Sequence, residues 1–208
     1  MKKITIILFI IIQLQTYSAN ADELKELFKF GGGILTSYLT HEAAHEISAR
    51  ITGNDINMHL NINNDICNPV KYRLEYHIDN SEGFIINASG LITHPLTNEI
   101  ILKSKKINRN DSFVKGIFIW NVINPIIYSM DYWFINRVNK TNHYGYSGDI
   151  AGIETYSSKT TANLFAGAIT CIALSQAYRF YFYKDDEEIS LNFLPTNGGV
   201  LFSINFNF

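Results

Sequence analysis

"LTHEAAHEISARITG", residues 39–53, is the stretch on which the reading of this chain turns. It places His41 and His45 four residues apart, with Glu42 beside the first. On a helix, residues i and i+4 lie one above the other on one face. Two imidazole nitrogens can then reach one zinc ion at about 2.0–2.1 Å. Glu42 sits one residue round from His41, close enough to exchange a proton with a water held there without ligating the metal. Bound zinc lowers the pKa of such a water to about 7 and polarises a carbonyl oxygen, so a carboxylate can act as base at neutral pH. The same carboxylate can pass the proton to a leaving amine. His-Glu-x-x-His therefore points to zinc-dependent amide hydrolysis, provided the chain supplies a third ligand. The preceding "GGGILTSYL", residues 31–39, is apolar with glycines suited to close helix packing. Polar groups on such a helix are a liability unless a metal or one another satisfies them.

Composition sets the surroundings. The 208 residues suggest one domain. The chain is 47% hydrophobic and only 17% charged, against about 25% charged in an average soluble domain. That balance leans toward a membrane or a deeply buried architecture. A formal net charge of −2 leaves no electrostatic footprint for nucleic acid. Two cysteines, Cys67 and Cys171, cannot build a disulfide framework, and Cys171 lies in an apolar run where a small buried thiol is expected.

The N-terminus reads as an export signal. Lys2 and Lys3 precede an apolar run from Ile4 to Ile12, and Ala19-Asn20-Ala21 fits a small-x-small cleavage site. Residues 1–21 are taken as a signal peptide cut before Asp22, with an uncleaved anchor as the alternative. Residues 22–183 form the expected helical domain and residues 184–208 a C-terminal β-hairpin.

Four apolar segments fall near Leu24–Ile51 and at residues 83–103, 113–138 and 162–183. Each approaches the roughly 20 residues that span a bilayer. Each is also interrupted by polar groups, among them His41, Glu42, His45, Asn87, His94, Asn121, Asn124 and Asp131, which should face one another or a watery cavity. The expected fold is mainly α: a membrane bundle of about three or four apolar helices. An Asn-rich hairpin is expected within residues 54–82, where "INMHLNI" and "VKYRLEYHI" alternate polar and apolar. A second is expected from "ISLNFLP" and "VLFSINFNF", joined across "TNGG".

"HEAAHEISARITG" resembles the first motif of the site-2 protease family of intramembrane zinc metalloproteases, with Ala49, Arg50 and Gly53 matching beyond the histidines. "INASGLITHPLTN" is similar to a second family feature through Ala88, Gly90 and Asn98. The third family motif, Asn-x-x-Pro followed by Leu-Asp-Gly, is split here. "NVINPI" offers Asn121, Asn124 and Pro125, while "GYSGDIAGI" offers Gly148, Asp149 and Gly152 much later. The likeness covers about residues 28–155 and implies a divergent relative. It implies a multi-pass cell-membrane protein, reached by export, with Zn2+ as cofactor and a protein or peptide, free or membrane-anchored, as substrate.

For the third ligand the resemblance favours Asp149, whose ordinary alternative is a helix N-cap. Asp131 and Glu154 follow, then His59, His77, His94 and His143; His94 and His143 read as structural or surface residues. Glu154 as ligand would suit a different protein, an exported soluble zinc peptidase of the periplasm or outer envelope. In a third reading the motif is incidental and the chain is a non-enzymatic envelope protein. Asn121 and Asn124 suit either substrate backbone or an interhelical hydrogen bond. The positive charges do not resolve an orientation: Lys103, Lys105, Lys106 and Arg109 would fall outside if His41 lies toward the cytoplasm.

Overall fold

The computed structural model describes residues 21–54, 56–60, 70–74, 78–136, 148–182, 189–196 and 199–206. The expected signal peptide lies outside the described residues, save for Ala21. The chain is mainly helical. Helix α1 runs Ala21–Ile51, α2 Asn80–Lys103, α3 Ser112–Met130, α4 Asp149–Tyr156 and α5 Lys159–Phe182. A π-helical stretch, Asp131–Asn136, continues α3. Strands β1 (Ile56–Leu60) and β2 (Val70–Leu74) pair antiparallel, as do β3 (Ile189–Thr196) and β4 (Gly199–Phe206).

Local chemistry starts the helices. The Asp111 side chain accepts from the Phe113 N–H at 2.9 Å and caps α3, while Lys29 of α1 donates to the same carboxylate at 3.0 Å. One contact therefore caps α3 and ties it to α1. Just inside this cap the two helices touch backbone to backbone. A Cβ on Gly33 would come within 2.1 Å of the Phe113 carbonyl, and one on Gly116 within 2.1 Å of the Phe30 carbonyl. Only glycines permit that approach at both positions.

Two apolar clusters hold the body. Ala88, Leu91, Tyr132, Ile150, Ile153, Ala162 and Ala166 join α2, α4, α5 and the π-helical stretch. Ile101, Leu102 and Phe118 form the other, with the Phe180 ring stacked 4.0 Å from that of Phe118. Burying Phe118 alone is worth about 1.5–3 kcal/mol. Between α2 and α5 runs a buried polar seam. Arg179 donates to both oxygens of Glu99 at 2.8 and 3.2 Å, and Gln176 donates to the Pro95 carbonyl at 2.9 Å.

Two expectations change. Among the described residues one helix, Ser112–Phe134, is both long and apolar enough to cross a membrane, where three or four were expected. The other long helices carry too many polar and charged groups: Glu82, Glu99 and Lys103 on α2, Lys159, Gln176 and Arg179 on α5. Cys171, expected to be buried, is exposed on α5.

Candidate metal centre

His41, Glu42 and His45 lie on the buried face of α1. The imidazole Nε2 atoms of His41 and His45 are 3.2 Å apart. Asp149 Oδ2 lies 3.1 Å from the first and 3.4 Å from the second. The three side chains are almost fully buried and form a group that could hold a metal ion. Ligands about 2.0–2.1 Å from a tetrahedral zinc stand about 3.3–3.4 Å from one another, so the observed triangle has the right size.

Hydrogen bonds set the direction of each donor atom. His45 Nδ1 lies 2.6 Å from the Ile86 carbonyl, which can only accept, so Nδ1 carries a proton and the neutral imidazole presents the Nε2 lone pair. His41 Nδ1 lies 3.1 Å from His94 Nε2. Among the described residues, buried Asp149 Oδ2 faces no hydrogen-bond donor beyond these two rings. Two Nε2 atoms and a carboxylate oxygen thus converge on one buried point, an arrangement that demands positive charge there, from a metal ion or from protons on the imidazoles. The donor set of two imidazoles and a carboxylate suits a divalent transition metal.

Asp149 reaches this point because of Gly148. Gly148 has φ 94° and ψ 155°, a region essentially reserved for glycine. It is the residue preceding the first turn of α4, so Asp149 is not the cap, and its carboxylate turns inward toward α1. On the opposite side Gly90 of α2 keeps space open. A Cβ there would lie 2.4 Å from His45 Nε2 and 2.8 Å from His41 Nε2. The lack of a side chain at residue 90 is therefore part of the site. Glu42, also buried, stands on the same helix beside the pair.

Among the described side chains, the other ligand candidates Glu154, Asp131 and His94 do not join this group. Glu154 accepts a hydrogen bond from the Tyr132 hydroxyl. Asp131 follows Met130 at the end of α3 and is not among the residues that converge. His77 and His143 lie outside the described residues, and His59 lies on β1. His94, expected as a structural or surface residue, is buried with its ring stacked 5.0 Å from that of His41. Asn121 accepts from His94 Nδ1 at 2.7 Å, and Asn124 is buried beside the same ring. Sequence reading missed Gly90 as a spacer and His94 as a neighbour of His41. The sequence signals were a histidine inside a long apolar run and, for Gly90, its place in the second family-like stretch, neither of which names a neighbour. Comparisons with protein-family models, with curated proteins and with solved structures find no match.

Proposed function

We propose that this chain is a zinc-dependent endopeptidase of a membrane, hydrolysing peptide bonds within or near the bilayer. His41, His45 and Asp149 would hold the metal, and Glu42 would be the general base. One observation carries the reading: two imidazole Nε2 atoms and a carboxylate oxygen, all buried, converge at the spacing of ligands around one ion, beside a fourth buried group, Glu42, that is not part of the triangle. When bound, the metal would acidify a water and polarise the scissile carbonyl. The chain's own residues supply the rest. Two imidazoles and the Asp149 carboxylate fix the metal's place. The Glu42 carboxylate takes the water's proton and returns it to the departing nitrogen. Burial keeps bulk solvent from competing for these groups.

The distribution of side chains supports the membrane. Phe28, Leu35, Leu39, Ile47 and Ile51 are exposed on α1, Ile100 on α2, Ile127 and Phe134 along α3, and Leu164 and Phe182 on α5. The interior meanwhile holds His41, His45, His94, Asn98, Glu99, Asn121 and Arg179. Water would penalise that arrangement and hydrocarbon would reward it. Ser112–Phe134 has 23 residues, about 35 Å of helix, against a hydrocarbon core of about 30 Å. An N-terminal signal would deliver the chain to that membrane, and several helices would share it.

The test is Glu42→Gln. The amide keeps the shape of the side chain and loses its basicity. Hydrolysis of casein or of a synthetic transmembrane peptide in detergent should fall by about 10²–10⁴-fold, with the metal retained. Full activity in the variant would remove the proposed base.

A further inference from the structure

Beyond the three proposed ligands and the base, one buried chain of hydrogen bonds runs from the metal centre into the helix packing. It ends on a backbone carbonyl, and that end fixes every proton along it. Asn98 Nδ2 faces the Phe118 carbonyl at 3.4 Å, which can only accept. Asn98 therefore turns its Oδ1 to Asn121, whose Nδ2 donates to it at 3.0 Å. Asn121 Oδ1 then faces His94 Nδ1 at 2.7 Å and also accepts from the Ser37 hydroxyl. An amide oxygen only accepts, so His94 Nδ1 carries a proton. The neutral imidazole keeps a lone pair on Nε2, and that atom lies 3.1 Å from His41 Nδ1. His41 must donate there, and the neutral ring then turns a bare Nε2 toward His45 and Asp149.

We infer that His94 is a positioning residue for the metal centre: its Nε2 accepts from His41 and holds that imidazole in the tautomer and orientation that ligates. Asn121, with Asn98 and Ser37 behind it, locks His94 in turn. The inference rests on the metal-site reading above and extends it to residues 53 and 80 positions along the chain from His41. A hydrogen-bond partner on the far nitrogen of a ligating imidazole commonly sets its tautomer and its basicity, and removing one typically costs about 10–100-fold in metal affinity or activity. The Ile86 carbonyl does the same for His45 with a backbone group, which no substitution removes. His94 is thus the side-chain partner closest to His41 on its far nitrogen, whereas His45 meets the Ile86 carbonyl at 2.6 Å and, more loosely, the Ser89 hydroxyl at 3.5 Å.

The experiment compares His94→Leu and His94→Gln in the full-length purified protein. Leu keeps volume and cannot accept a hydrogen bond. Gln presents an amide oxygen to His41 and an amide nitrogen to Asn121. Zinc affinity is read by chelator competition, and the visible absorption of the cobalt-loaded protein reports the ligand geometry. Wild type should bind zinc. His94→Leu should bind about 10–100-fold more weakly, with a changed cobalt spectrum. His94→Gln should recover most of the affinity and the spectrum. Unchanged affinity in His94→Leu, or equal losses in both variants, would overturn the positioning role and leave the metal site standing. A wild type that binds no metal would overturn both. If His94→Leu does not fold, as judged by circular dichroism, Asn121→Ala replaces it. That variant releases the lock on His94 and should weaken zinc binding several-fold, whereas wild-type affinity in a folded Asn121→Ala would overturn the inference.

Discussion

Replacing Gly90 with alanine adds one methyl group at the point where the two histidines converge. The added Cβ would stand 2.4 Å from His45 Nε2, 2.7 Å from His41 Cε1 and 2.8 Å from His41 Nε2. An ordinary contact needs about 3.4 Å or more, so one ring or the helix must move by several tenths of an ångström to about 1 Å. Metal–ligand distances tolerate only about 0.2 Å. The substitution should therefore disable the centre more than it disturbs the fold. For stability, alanine in place of glycine gains about 1 kcal/mol of helix propensity, while overpacking costs about 1–3 kcal/mol. The net loss is about 0–2 kcal/mol, which a folded helical body can absorb. Metal affinity, in contrast, should fall at least tenfold, as when a ligand is displaced. Chelator competition measures the affinity and thermal unfolding followed by circular dichroism measures the fold. A Gly90→Ala protein that binds metal as tightly as wild type would refute the placement of the histidine nitrogens against α2.

Other perturbations separate site from scaffold. Asp149→Ala should weaken zinc binding far more than Asp131→Ala, because only the first carboxylate meets both imidazoles; the reverse order in chelator competition would move the third ligand into the end of α3. Arg179→Met leaves the buried Glu99 carboxylate without its bidentate partner and should cost about 3–5 kcal/mol, at the lower end because Gln176 and Lys103 also touch Glu99; thermal unfolding in detergent checks it, and an unchanged midpoint would contradict the ion pair. The Asp111 carboxyl is held below its usual range by the hydrogen bond from Lys29 and by the Phe113 N–H. Its contribution should be complete above about pH 4, where the unfolded carboxyl ionises, and be lost as pH falls through the lower folded value. Asp111→Asn should remove that part of the acid dependence, and an identical acid-unfolding profile in the variant would count against the cap.

Sequence legibility followed the range of the interaction. The His41–Glu42–His45 face was readable because a helix brings i and i+4 together by local geometry alone. Asp149 is 104 residues beyond His45 and no local rule reaches it; a family resemblance pointed there, and the glycine-only backbone at Gly148 is the physical reason it turns inward. The polar residues in apolar runs carried a correct general message, that they must meet one another. Which would meet which was not legible. His94, Asn98 and Asn121 are spread over two helices, and their pairing depends on the depth at which α2 and α3 cross α1. For α3 that depth is set by the close approach at Gly33 and Gly116, and for α2 by Gly90 against the two histidines. The glycine run "GGG" was visible as packing material, but its partner on α3 was an ordinary-looking "KGI". Among the described residues fewer helices than expected are apolar enough by composition to cross a membrane, because hydrophobic runs were weighed by length while the inward-facing Glu99 and Arg179 raise the charge of helices whose outward faces stay apolar.

The central claim is that His41, His45 and Asp149 form a metal site. The most direct measurement is the metal content of the purified full-length protein by elemental mass spectrometry, set against a variant carrying both His41→Ala and His45→Ala. The expected result is about one zinc ion per wild-type chain, since one such group occurs among the described residues, and none in a variant that retains its helical circular dichroism. A metal-free wild type, or equal metal in both proteins, would contradict the account.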